Sequence, residues 1–287
     1  MSNNSVAVLL TCHNRKDKTL ACLECLNLQK GLETIDMEVF VVDDGSNDGT
    51  WDAIKRLYPK VKLIKGNGNL FWAGGMRMAW NEALKNRSFD YFWLVNDDTH
   101  IYKETLLNLM EADEFSVKEF GKQGIYVGST LDPRTKKHSY GGQKLIRMDN
   151  YASERVLPNG TYQICQFCNA NIVLVTASVV DAIGILCEGY THSIADYDYS
   201  MQAFNAGFPV LVLPDYCGEC INDHRMETSL KSKKLIKRIQ YLYSSKGFAY
   251  KEFLHFVHKF FPSTYLNTAI TLWIRTIFPT LWEKYKA

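Results

Sequence analysis

The 287 residues are 46% hydrophobic and 22% charged, a globular balance with enough apolar side chains for a sizeable core. A formal net charge of +2 excludes an argument for nucleic acid from overall electrostatics, and no apolar run is long enough to span a bilayer. Met1 to Ser5 is polar and uncharged and leads straight into an apolar run, which predicts no secretory leader and a cytoplasmic protein.

Val6 to Leu10 is a buried strand by its unbroken apolar run, and it stops at the polar loop Thr11-Cys12-His13-Asn14-Arg15. A helix follows, then Val39 to Val42 repeats the device and ends at Asp43-Asp44-Gly45-Ser46-Asn47-Asp48-Gly49-Thr50, where glycines and Asx residues allow tight turns before a helix near Trp51. Val61 to Ile64 is a short third strand. Gly74 and Gly75 precede a predicted helix from Met76 to Lys85, and Tyr91 to Val95 is a fourth strand running into Asn96-Asp97-Asp98. Strands alternating with helices predict an α/β fold with a mostly parallel central sheet and right-handed crossovers, so the strand ends at Thr11, Asp43 and Asp97 face one crevice.

Residues 103–119 read as an amphipathic helix, and 132–161, punctuated by Pro133, Gly141-Gly142 and Pro158-Asn159-Gly160, reads as hairpins or a loop over the site. Ile172 to Val175 is a strand with Thr176 as a helix cap. Ser193 to Ser200 opens a helix that ends at Gly207, and Phe208 to Leu213 is the next strand.

Two centres carry charge. Adjacent carboxylates at a strand end repel unless a cation compensates them, which points Asp97 and Asp98 toward Mg2+ or Mn2+, with a turn as the plain alternative. His224 offers an imidazole as a further metal ligand. Asp196, at a helix start, reads either as a pre-positioned general base or as half of a capping box with Ser193. Six of the eight cysteines form Cys-x-x-Cys pairs, 22/25, 165/168 and 217/220; the last two could share zinc, but buried reduced thiols fit better. Residues 231–251 hold seven Lys or Arg and no acid, among apolar and aromatic residues. That stretch fits either an anionic membrane surface or a helical lid or dimer interface.

In this order the motifs resemble glycosyltransferase family 2, over roughly Val6 to Ser229. Val8 to Arg15 is similar to the family's opening strand and nucleotide loop, and Val41 to Thr50 to its most recognisable signature. Asn96-Asp97-Asp98 sits where the family has its DxD-type metal motif, with Asn96 removing one charge. Asp196-Tyr197-Asp198 and the helix to Gly207 match the catalytic-base segment, and Gly68 to Met76 looks like the subgroup that builds bacterial surface polysaccharides, rhamnosyltransferase-like members included.

The resemblance implies a GT-A catalytic domain over 1–230 and a basic, aromatic helical extension over 231–287. It implies an inverting transfer of a hexosyl or deoxyhexosyl group from a UDP- or dTDP-sugar to a glycan or lipid-linked acceptor, in capsule or O-antigen synthesis. The implied roles are Asp196 as base, Asp98 and His224 as ligands of Mn2+ or Mg2+, and a donor pocket of Thr11, His13, Asn14, Arg15, Asp43, Asp44, Gly74, Arg77 and Asp97. Arg77 falls where relatives commonly carry Asn. The other partners expected are a membrane surface met by 231–287 and a second copy of the chain, with no nucleic acid. A sugar-nucleotide pyrophosphorylase is the competing enzyme class, but Thr11 to Arg15 lacks the glycine such a loop needs. A non-catalytic nucleotide-sugar or zinc-binding module is the remaining alternative.

Overall fold

The structure is a computed structural model that describes residues 4–222, 233–280 and 282. Apolar runs flanked by polar loops give four parallel strands, β1 (Asn4–Cys12), β2 (Ile35–Asp43), β3 (Lys62–Lys65) and β4 (Tyr91–Val95), joined through α1 (Lys16–Asn27), α2 (Thr50–Leu57) and α3 (Phe71–Asn86). Beyond them lie β5 (His100–Ile101), α4 (Thr105–Phe120), β6 (Ile125–Leu131), β7 (Gly142–Leu145), β8 (Ser153–Arg155), β9 (Gln163–Ile164), β10 (Phe167–Cys168), β11 (Ile172–Thr176), α5 (Ala177–Ile183), α6 (Ala195–Asn205) and β12 (Val210–Glu219). The main sheet runs β3-β2-β1-β4-β11-β6-β12-β5, with β9 on β12, and β10-β7-β8 make a small second sheet. Four strands in a row are parallel, and β11 then pairs antiparallel with both β4 and β6.

Alternation along β1 sends Ala7 and Leu9 to one core and Val6, Val8 and Leu10 to the other, so helices cover both faces. α1 and α4 pack on the second face through Leu23, Leu26, Leu106 and Leu109. α3 and α6 pack on the first through Trp80 and Tyr199, whose rings lie 5.4 Å apart. Towards the C-terminal end the chain forms α7 (Leu235–Tyr243), α8 (Tyr250–Phe260) and α9 (Tyr265–Ile277). Phe256 and Val257 of α8, with Phe261, join the first core, so this helical segment packs on the sheet domain. The expected boundary at 230/231 lies outside the described residues.

Three expectations need correction. α3 begins at Phe71, so Gly74 and Gly75 lie inside the helix instead of preceding it. β12 continues to Glu219, accommodating Pro214 within a register shift between Val212 and Tyr216. The Thr176 hydroxyl does not cap α5; it donates to Gly124 O at 3.2 Å and meets Ser178 Oγ at 3.0 Å.

Gly75 has a packing reason to be where it is. A Cβ there would lie 2.0 Å from Thr11 Oγ1 and 2.6 Å from Thr11 Cβ, so only glycine lets α3 approach the end of β1. Helix propensity alone favours Gly→Ala by about 1 kcal/mol, but overlap with a stiff β-branched side chain outweighs it. Gly75→Ala is therefore expected to destabilise the fold by about 1–3 kcal/mol in chemical denaturation; a gain in stability would contradict this close approach.

Candidate active site

β1 is followed by a crossover to β2 on one side, while β3 leads back across to β4 on the other side, so the sheet's topological switch lies between β1 and β4. The residues at those two strand ends meet. Arg15 Nη1 donates to Asp97 Oδ1 at 3.2 Å and to Asp98 Oδ2 at 2.9 Å, and Lys18 Nζ lies 3.7 Å from Asp98 Oδ2. Thr19 Oγ1 donates to Asp97 Oδ2 at 3.2 Å. Lys18 and Thr19 are one helical turn after Arg15, which puts all three at the same carboxylates. Burial pushes the Asp97 carboxyl up to about 6, against the pull of Arg15 and with the Asp98 charge adding to the rise. Asn96 is committed elsewhere: its Oδ1 accepts from Trp72 Nε1 at 2.8 Å, a bond suited to a neutral amide at the first position of the motif.

The β2 loop is held by its own carboxylates. Asp44 Oδ1 accepts from Gly68 N at 2.7 Å, and its Oδ2 accepts from Leu70 N at 2.8 Å and Phe71 N at 3.1 Å. It therefore caps α3 from a distant part of the chain, where no local side chain does so. That cap explains the early start of α3. Asp43 Oδ1 accepts from Ser46 N at 2.9 Å. His13 Nδ1 sits 2.7 Å from Asp44 O, Asn14 takes a left-handed φ of 51° with its Oδ1 accepting from Asn47 N at 2.8 Å, and Asn14 N donates to Ser46 Oγ at 2.8 Å. The β1 and β2 loops are thus stitched into one wall. Gly74 belongs to the first turn of α3, donating to Leu70 O at 3.2 Å. Arg77 Nη1 donates to Cys187 O at 2.8 Å and Tyr190 O at 2.9 Å, which ties α3 to the segment before α6.

Asp196 lies in the first turn of α6, half-buried, with Oδ2 accepting from Ala170 N at 3.2 Å and Oδ1 from Tyr197 N at 3.0 Å. Burial pushes its carboxyl up to about 6 against the stabilising pull of those two N–H groups. The capping-box alternative is not realised, because the N-cap residue is Ile194 and no side chain caps the helix; Ser193 Oγ points to Ser245 O at 3.5 Å. Ile194 adopts φ 73° and Phe71 φ 54°, left-handed conformations that bulky side chains rarely take. The two strained segments touch, since Ala73 N donates to Thr191 O at 3.1 Å.

A short relay connects the two charged centres. Cys220 Sγ donates to Asp98 Oδ1 at 3.7 Å, Asn171 Nδ2 donates to Cys220 Sγ at 3.4 Å, and the preceding residue, Ala170, holds Asp196. Asn96 N also donates to Asn171 O at 3.2 Å. Asp98 and Asp196 therefore stand on either side of the Ala170–Asn171 corner. Among the described residues no group of three or more His, Cys, Asp or Glu could hold a metal, and His224 lies outside them. Asp98, with Asp97 behind it, offers carboxylate oxygens of the kind that hard cations take as ligands.

The cysteines are free, seven of the eight are buried, and among the described residues they form no zinc site: Cys165 and Cys168 belong to the core on one face of the sheet and Cys217 to the other. Burial pushes the Cys165 and Cys217 thiols up to about 12, keeping them protonated and poor ligands. Sequence reasoning missed Lys18, Thr19, Trp72, Cys220 and Lys259. Only Lys18 and Thr19 left a signal, their helical spacing from Arg15.

With this geometry in view, the family profile described as "Glycosyl transferase family 2" matches residues 7–172, more than half of the sequence. The chain belongs to glycosyl transferase family 2. The matched span holds Asp97 and Asp98 and stops short of Asp196. No curated protein matches the sequence. Among solved structures, the fold is similar to the mannosyltransferase PcManGT from Pyrobaculum calidifontis in complex with GDP-Man and Mn2+, at 17% identity and TM-score 0.50 over 83% of this chain and 60% of that one. It is also similar to S. aureus TarS in complex with UDP, at 20% identity and TM-score 0.51 over 75% of this chain and 59% of that one. The family 2 chain thus spans about 60% of the length of these two solved chains, and the likeness establishes the GT-A fold.

The second carboxylate of the Asp196-Tyr197-Asp198 segment has a different environment. Asp198 is fully buried, accepts from Tyr190 OH at 2.8 Å and from Gln202, and pairs with Lys259 Nζ of α8 at 2.8 Å. Removing one member of a buried pair costs about 3–5 kcal/mol when nothing else compensates. Lys259 keeps 31% of its side chain in water and two donors remain on Asp198, so Lys259→Met is expected to destabilise by about 1–3 kcal/mol in urea unfolding. An unchanged midpoint would show that α8 is not anchored through this pair.

Proposed function

We propose that the chain is an inverting glycosyltransferase that moves a hexosyl or deoxyhexosyl group from a UDP- or dTDP-sugar to a hydroxyl of a glycan or lipid-linked acceptor. The single observation that supports this reading is the run of bonds that leads from Asp98 through Cys220 to Asn171, beside the Ala170 that holds Asp196, in a family 2 chain. The proposed setting is assembly of a bacterial surface polysaccharide on the cytoplasmic side of the membrane, with a catalytic unit over 1–230.

Asp196 is the proposed general base. A carboxyl raised to about 6 is ionised at neutral pH yet basic enough to accept a proton from an attacking hydroxyl, and its half-buried position leaves it reachable. Direct displacement at the anomeric carbon then needs the hydroxyl on the Asp196 side and the leaving diphosphate on the Asp98 side. Arg15 and Lys18, at Asp97 and Asp98, supply positive charge where the diphosphate's negative charge develops. Mn2+ or Mg2+ held by Asp98, with His224 as a further ligand, would add Lewis-acid stabilisation of that leaving group. In the nucleoside pocket, Asp43 is the better candidate for the base, because Asp44 already accepts three backbone N–H groups. Asp97 is proposed to meet the ribose, and Thr11, His13 and Asn14 to line the wall. Gly74 and Arg77 support that wall through α3.

The test is Asp196→Asn with whichever nucleotide sugar gives the largest thermal shift in a donor panel. Transfer is expected to fall by about 10^3-fold while donor binding stays within a few-fold. For the unmodified chain, kcat/KM should rise with pH through about 6 as Asp196 ionises, losing about tenfold per unit on the acid side. Undiminished turnover in the Asn variant would remove the base assignment.

A further inference from the structure

α9 turns much of its apolar surface outward. It buries Thr268 (2% exposed), Leu272 (7%) and Thr276 (0%) against its neighbours, yet leaves Leu266 72%, Ile270 58%, Ile274 42% and Ile277 40% exposed. Positions 266, 270, 274 and 277 fall within one helical face, so these side chains form a continuous stripe that Phe278 (52%) extends. A helix in contact only with water has the reverse arrangement. At the end of the stripe lies α7, where Arg238 Nη1 donates to Ile277 O at 3.2 Å and Leu235 (48%) and Ile236 (70%) are also exposed.

Charge decides among occupants. Residues 233–280 hold eight Lys or Arg against one acid, Glu252. Glu252 is engaged by Thr191 Oγ1 at 2.6 Å on the catalytic side, and Lys259 pairs there with Asp198. A second copy of this chain would bring like charge against like charge. An anionic lipid bilayer instead offers apolar depth to the stripe and negative headgroups to the cations beside it. No helix of the described residues is long and apolar enough to cross a membrane, so the geometry suits lying on one.

We infer that the outward face of α9, with the basic N-terminal end of α7, docks the protein on an anionic lipid bilayer. The surface stands on exposure and charge alone; joined to the transfer reading, it brings the crevice to where a lipid-linked acceptor would lie.

Co-sedimentation of the full chain with vesicles of phosphatidylcholine and phosphatidylglycerol tests it. Binding should exceed that to pure phosphatidylcholine and weaken with added salt. Ile270→Glu/Ile274→Glu and, separately, Lys234→Glu/Lys237→Glu should each lower the bound fraction's partition constant by about tenfold or more. All four positions are exposed, and the charge variant keeps the test decisive if the apolar one misfolds. Parent-like binding by the charge variant overturns the inference, as does a parent dimer that the Ile variant dissolves, which would make a second copy the occupant. Donor hydrolysis in solution separates this from the transfer reading: vesicle binding without turnover sinks that reading and leaves the surface, while turnover without vesicle binding does the opposite.

Discussion

Carboxylates buried at the ends of strands must be matched by donors, and meeting that demand shapes most of this molecule. Asp43, Asp44, Asp97 and Asp198 are at most 5% exposed. Asp43 is answered within its own loop by Ser46, and the others also by distant residues: Asp44 by the start of α3, Asp97 by Arg15 and Thr19 of the β1 loop and α1, Asp198 by Tyr190, Gln202 and Lys259. An unmatched buried charge is far more costly than an unmatched surface one, so these bonds dictate where loops run and where helices start. The crevice is what remains between those loops.

Two carboxylates of the proposed site are held less comfortably. Asp97 and Asp196 both have carboxyls raised to about 6, above the ordinary range near 4, with burial as the main cause. A raised folded-state pKa means that the neutral form is favoured by folding. Their contribution to stability is present below about pH 4 and is lost as pH rises through about 6, so at neutral pH both groups oppose folding. Strain at Phe71 and Ile194 adds to this, in two segments joined by the bond from Ala73 N to Thr191 O. Such concentration of opposed local preferences is typical of a site kept for function.

The strand ends were legible because β1, β2 and β4 are unbroken apolar runs that stop at polar residues, and an α/β alternation then fixes which ends share an edge. Asp97 and Asp98 stood out for the same reason, and Asp196 by its place at a helix start. Other features depend on partners far away in sequence. Gly74 and Gly75 suggested a turn before a helix, but the cap from Asp44 draws the start of α3 back to Phe71. Ser193 and Asp196 had capping-box spacing, but Asp196 is engaged by Ala170 on the far side of the corner. The Cys-x-x-Cys spacing of 165/168 and 217/220 suggested a shared metal, and only the fold reveals that the sheet separates them. The exposed apolar stripe of α9 was likewise hidden, because apolar residues at helical spacing do not say which side faces inward.

The proposed function rests on one spatial relation, Asp98 and Asp196 facing a common space that would accept the diphosphate of a nucleotide. The most direct measurement is a crystal structure of the full chain with Mn2+ and the nucleoside diphosphate that binds it most tightly. The account predicts the diphosphate at the β1–β4 switch, with Asp98 at coordination distance from the cation and Asp196 facing the space where the sugar would attach. A nucleotide bound with either carboxylate outside that space would contradict it.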